Sequence, residues 1–268
     1  DGPDLSYDFV TRPAYQLALC TGDTEFLRLT LSEARAIGID QASLVHALQN
    51  HDELTYELVH FENNRADDHY RLAGVEYRGR ELAEHVRQQL RDVLLDPELG
   101  YNARFVENGI ACTTVSVIAA ALGITDLDAI EPAQRDLIRR AHLLACRFNA
   151  WQPGVFALSG WDLVGALPLP TDEVAALIAD GDTRWIERGG YDLLGANPDA
   201  TASNSGLPRA RCLYGPLPAQ LADPTSFASQ LAEILSVRSD SSVATAELVD
   251  VPEPPHPGLL VLVSRAED

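Results

Sequence analysis

The chain has no methionine and no lysine in 268 residues. Without an initiator residue, it is expected to be an internal piece of a longer protein. Without lysine, all basic charge rests on 20 arginines against 40 acidic residues, giving a formal charge of −20. That balance repels nucleic acid and anionic membranes and leaves neutral substrates favoured.

Cysteine is sparse: Cys20, Cys112, Cys146 and Cys212 lie far apart, with no C-x-x-C pair and no zinc-like spacing. Reduced thiols in a cytoplasmic protein are expected. Long apolar runs are missing too. The longest, residues 109–124, is broken by Thr113, Thr114 and Ser116 and falls short of the roughly 20 residues a membrane-spanning helix needs. No export signal opens the chain. Gly189, Gly190 and Gly195 lack the spacing and the basic residue of a phosphate loop. His51, Asp52, His60, Glu62 and His69 fall close together but not at H-E-x-x-H spacing, so neither a metal nor a cofactor is expected.

What is present suits a globular protein, with 46% hydrophobic and 22% charged residues. Residues 5–10 suit a strand. Residues 12–19 and 25–36 carry helical periodicity, with Thr24 as a cap and Gly38 as a stop, and 42–48 read as a second strand. Strand, helix, strand is the parallel α/β signature. A long excursion follows, with a helix over 80–95 whose polar face carries Glu81, Glu84, Arg87 and Arg91. Further helices are predicted over 108–122 and over 131–149, the latter opening with Pro132. Residues 154–159 form a third strand-like run and 226–237 a last helix. Alternating runs at 242–251 and 259–264 flank a Pro-rich turn.

Directly behind 42–48 stands Gln49-Asn50-His51-Asp52-Glu53. This places an imidazole and a carboxylate side by side at the carboxyl end of a strand, where barrel enzymes keep their chemistry. The plain alternative is a polar strand-to-helix turn with Asp52 as the helix cap. Trp161 and Asp162, behind the third run, are either substrate lining or a packed loop aromatic with a turn carboxylate.

The run Leu48-Gln49-Asn50-His51-Asp52-Glu53-Leu54-Thr55 resembles the fourth conserved region of glycoside hydrolase family 13, the α-amylase superfamily. Its Glu-Leu-Thr continuation is most similar to the trehalose synthase (maltose α-D-glucosyltransferase) branch. Tyr7-Asp8-Phe9-Val10 with Arg12-Pro13 resembles the sixth barrel strand and the start of its helix, and 153–165 the eighth strand and its loop. Gln152-Pro153-Gly154 and Gly160-Trp161-Asp162 depart there from the family's usual Gly-x-Pro…Gly-Glu pattern.

The resemblance implies an α/β fold. The last strands and helices of a TIM (β/α)8 barrel would fill 1–240, with a helical insertion at about 56–150, and an antiparallel β domain would begin at 241–268. It implies conversion of maltose to trehalose by a retaining, intramolecular transglucosylation. An α-amylase, α-glucosidase or sucrose-acting relative is the alternative, and a non-catalytic carbohydrate-binding fragment a second one. Asp52 would stabilise the transition state, with His51, Asn50, Glu53, Trp161 and Asp162 binding substrate. The nucleophile and the acid/base would precede residue 1, so the chain alone is expected to be inactive. Its expected partners are maltose, trehalose or a short α-glucan, together with the N-terminal part of the barrel.

Overall fold

A computed structural model describes residues 4–266. In chain order the elements are β1 (Ser6–Tyr7), α1 (Thr11–Thr21), α2 (Glu25–Ala36), β2 (Leu44–Ala47), β3 (Leu54–Thr55), β4 (His69–Leu72), β5 (Val75–Arg78), α3 (Gly79–Leu94), β6 (Ala103–Val106), β7 (Gly109–Ala111) and α4 (Thr114–Ala121). There follow α5 (Pro132–Ala150), β8 (Val155–Ala157), α6 (Gly160–Val164), α7 (Leu217–Leu221), α8 (Phe227–Asp240), β9 (Glu247–Asp250) and β10 (Val263–Arg265).

The scaffold is a parallel sheet in the order β1-β2-β8, with Tyr7 opposite Val45 and Val45 opposite Val155. Helix α5 packs on β2 and β8, and α8 packs on α5. His46 and Leu48 are buried, whereas Val45 and Ala47, on the opposite face, are half-buried. Tyr7 and Val155 share that second face and are 52% and 41% exposed. Gly154 makes the entry to β8 possible: its φ is +95°, and a Cβ there would sit 2.4 Å from the Leu44 carbonyl oxygen. Among the described residues the sheets are small and none closes into a barrel.

The excursion between β2 and β8 is not purely helical. It holds an antiparallel sheet, β3-β7-β6, and a hairpin, β4-β5. The hairpin has a two-residue turn at Ala73–Gly74, both at positive φ, which matches the twist of paired strands. Its Tyr70 and Leu72 are buried and alternate with exposed His69 and Arg71. Residues 109–111 pair as β7 instead of opening a helix. Thr113 accepts the Ser116 N–H and so starts α4 at Thr114. A short apolar run fits either element until its partners are known.

Two further local details refine the expectation. Arg87 leaves the polar face of α3 and is buried, donating to the carbonyls of Tyr56 and Glu57 and to Glu62. Thr24 stands at the N-cap of α2 but makes no side-chain capping bond; Asp23 before it accepts the Glu25 N–H at 2.8 Å. The Thr24 hydroxyl instead holds the carbonyls of Pro257 and Leu259. At the carboxyl end β9 and β10 pair antiparallel.

Candidate functional site

The chain leaves β2 at Ala47 and turns within six residues into β3. Asn50 closes that turn: its Oδ1 accepts the Asp52 N–H at 2.9 Å. No helix follows, so Asp52 caps none. His51 Nε2 stands 3.5 Å from Asp52 Oδ2, and the two side chains are 74% and 38% exposed. Glu53 is more enclosed. Arg12 Nη1 donates to its carbonyl at 3.3 Å, and Gly109 passes so close that a Cβ there would meet the Glu53 side chain at 2.9 Å.

Over this turn lies a short 3-10 segment, Thr183–Glu187. Asp182 opens it, accepting the Arg184 N–H, and Ile186 anchors it in a small core with Val164, Ala166, Leu169, Val174 and Ala210. Arg184 Nη1 reaches Asp52 Oδ1 at 3.1 Å and Glu53 Oε2 at 3.4 Å. Arg188 Nε donates to the His51 carbonyl at 2.8 Å. Hydrogen bonds from Arg184 hold the Asp182 carboxyl below the usual carboxylate range. Asp182 therefore belongs to this cluster.

Under the segment, Glu187 is buried. Its Oε2 accepts the Cys112 N–H at 2.8 Å, and its carbonyl takes the Gln49 side-chain N–H at 3.2 Å. Burial pushes the Glu187 carboxyl up to about 8, against the opposing pull of that N–H and of the nearby Arg12 charge.

Trp161 and Asp162 do not join the turn. The Trp161 indole donates to the Gly189 carbonyl at 2.9 Å and meets Tyr191 edge-on at 6.0 Å. Gly160 permits that packing, since a Cβ would lie 2.1 Å from the Tyr191 hydroxyl. Asp162 is fully buried: its Oδ1 faces His142 Nε2 at 3.2 Å and its Oδ2 accepts from the Ser159 hydroxyl at 2.7 Å. His142 Nδ1 in turn faces the Tyr214 hydroxyl at 3.0 Å. With both oxygens engaged and no solvent access, Asp162 ties α5 to α6, the short helix behind β8, and has no face for a sugar.

The sequence had also hidden a second histidine–aspartate pair. Asp8, just past β1, accepts the Val10 and Thr11 N–H groups at 3.0 and 2.9 Å and the Thr11 hydroxyl, and faces His46 Nδ1 at 3.0 Å. His46 Nε2 faces the Pro153 carbonyl at 2.9 Å, so the ring has an acceptor at each nitrogen. Burial alone would raise the Asp8 pKa, but the bonds from His46 and Thr11 outweigh it and hold it low. This pair joins β1, β2 and the entry to β8.

Among the described residues no three His, Cys, Asp or Glu side chains converge as a metal site, and no helix is long and apolar enough to cross a membrane. A cavity of about 740 Å³ opens elsewhere, between α2, the β4–β5 turn and Pro254–Pro257, where Arg28 is already paired with Glu25. A scan of protein-family models finds no match to this chain, and a search of curated proteins finds none either.

Proposed function

We propose that the chain is the carboxyl-side part of a retaining α-glucosyl-transferring enzyme that converts maltose to trehalose. One observation carries the reading: His51 and Asp52 stand side by side, solvent-accessible, just beyond the carboxyl end of the middle strand of a parallel sheet. Asp52 accepts sugar hydroxyls, and hydrogen bonds there strengthen as positive charge develops on the ring. His51 serves hydroxyls of the same glucosyl unit, and Asn50 and Glu53 shape the turn.

Retaining transfer also requires a nucleophile and a proton donor, two carboxyls about 5–5.5 Å apart. On this reading they come from preceding strands of a (β/α)8 barrel. Parallel sheets are ordinarily covered on both faces, and here Tyr7 and Val155 leave one face partly exposed, while among the described residues β1 pairs with β2 alone. Preceding strands would pair with β1 and cover that face. Four free thiols suit a cytoplasmic setting.

The test is product analysis with maltose, using the full-length polypeptide that carries this chain, alongside Asp52→Asn. Trehalose from the parent and none from the variant is the expected result. Glucose alone would replace the transferase reading with that of a hydrolase of the same superfamily. No turnover at all would leave a carbohydrate-binding role, and the isolated 268-residue chain is expected to turn over nothing.

A further inference from the structure

We propose that Arg184 is a positioning residue for Asp52, fixing which carboxylate oxygen meets the sugar; this rests on the role of Asp52 proposed above. Three of its nitrogens divide their work. Nε and Nη2 fork onto Asp182 Oδ1 and Oδ2 at 2.8 and 3.1 Å, while Nη1 is left for Asp52 Oδ1 and Glu53 Oε2. The guanidinium also lies over the Phe105 ring, 4.1 Å from its centroid. Swinging away would break the fork and the stacking together, so Nη1 is presented to Asp52 in a fixed direction.

The consequence falls on the other oxygen. With Oδ1 held, Asp52 Oδ2 and His51 Nε2 remain 3.5 Å apart as an exposed acceptor beside a ring nitrogen. That pair suits two neighbouring hydroxyls on one sugar ring. Arg188 steadies the same arrangement from the backbone side through the His51 carbonyl, so one 3-10 segment and its flanks hold both members of the pair. Arg184 acts through Asp52, and its site is set by Asp182 and Phe105, which nothing in the Asn-His-Asp motif specifies.

A merely structural ion pair at this exposure adds little to stability, which makes the two roles separable. In the full-length polypeptide with maltose, Arg184→Gln is expected to lower kcat about 10- to 100-fold while KM changes little and Tm stays at the parent value. Guanidinium chloride at millimolar concentration should restore part of the lost kcat in Arg184→Ala by filling the space between Phe105, Asp182 and Asp52. Lysine cannot fork onto Asp182 and reach Asp52 together, so Arg184→Lys should remain impaired.

Parental kcat in Arg184→Gln would overturn the inference. So would a kcat loss that tracks loss of folded protein, or one that guanidinium leaves unchanged. A parent enzyme that turns over no maltose removes the reading of Asp52 itself, an outcome distinct from a working parent with an indifferent Arg184.

Discussion

Two histidine–aspartate pairs five positions apart along one strand and turn do opposite things. His46 and Asp8 are buried, 0% and 2% exposed, and every hydrogen-bonding direction between them is taken by Thr11, Val10 or Pro153. His51 and Asp52 are 74% and 38% exposed, stand 3.5 Å apart and keep unused capacity toward solvent. The same two residue types form a lock where every partner is protein and solvent is excluded, and on the reading proposed above they form a binding pair where one carboxylate oxygen and the ring face solvent. A third pair, His142 with Asp162, belongs with the locks.

The comparison breaks first at Asp8. Asp8→Asn removes the charge that His46 faces in the interior, and unpairing a buried partner costs about 3–5 kcal/mol; chemical denaturation should show that loss. The pH response has a definite sign. Because the folded-state pKa of Asp8 is depressed, its stabilisation is fully present above the ordinary carboxylate value. It is lost as pH falls through the lowered folded value. An acid-unfolding curve unchanged by Asp8→Asn would remove the lock.

Asp162→Asn tests whether the third pair is also structural. It should lower stability by about 1–3 kcal/mol while leaving turnover per folded molecule intact. A selective fall in turnover would return Asp162 to the substrate-binding set.

Glu187 gives a graded effect of opposite sign to Asp8. Its carboxyl is raised from 4.5 to about 8, so the fold holds its proton more tightly than the unfolded chain does. Its contribution to stability therefore falls as pH rises from about 4.5 to about 8, by about 1.4 kcal/mol per pH unit, and levels off above that. Glu187→Gln should flatten the pH profile of Tm over that window. A parallel-shifted profile would contradict the burial argument.

Much of the scaffold was legible in the sequence because its signals are local. The 3.6-residue period placed α1, α2, α3, α5 and α8 close to their observed bounds, and Pro132 and Ser226 marked real helix starts. The three parallel strands lie where apolar runs stood, though each is shorter. Residues 109–111 were misread because an apolar run of that length carries no period of its own.

The site was legible only in part. Asn50, His51 and Asp52 declare themselves by adjacency, but Arg184 meets Asp52 across 132 positions. Its placement depends on Ile186 entering a small core whose other members are scattered from Ala111 to Ala210. Asp162 misled for the converse reason: the partner that closes it off, His142, sits on α5, on the far side of β8 in sequence.

The smallest structural effect belongs to the open pair, and there the central claim is most exposed. Asp52→Asn in the full-length polypeptide should leave stability within about 0.5 kcal/mol of the parent, as surface substitutions do, and should abolish trehalose formation from maltose. Turnover and Tm measured on the same preparation decide it. Lost turnover with an unchanged Tm is the predicted result. Retained turnover, or a Tm loss as large as that of Asp8→Asn, would contradict the account.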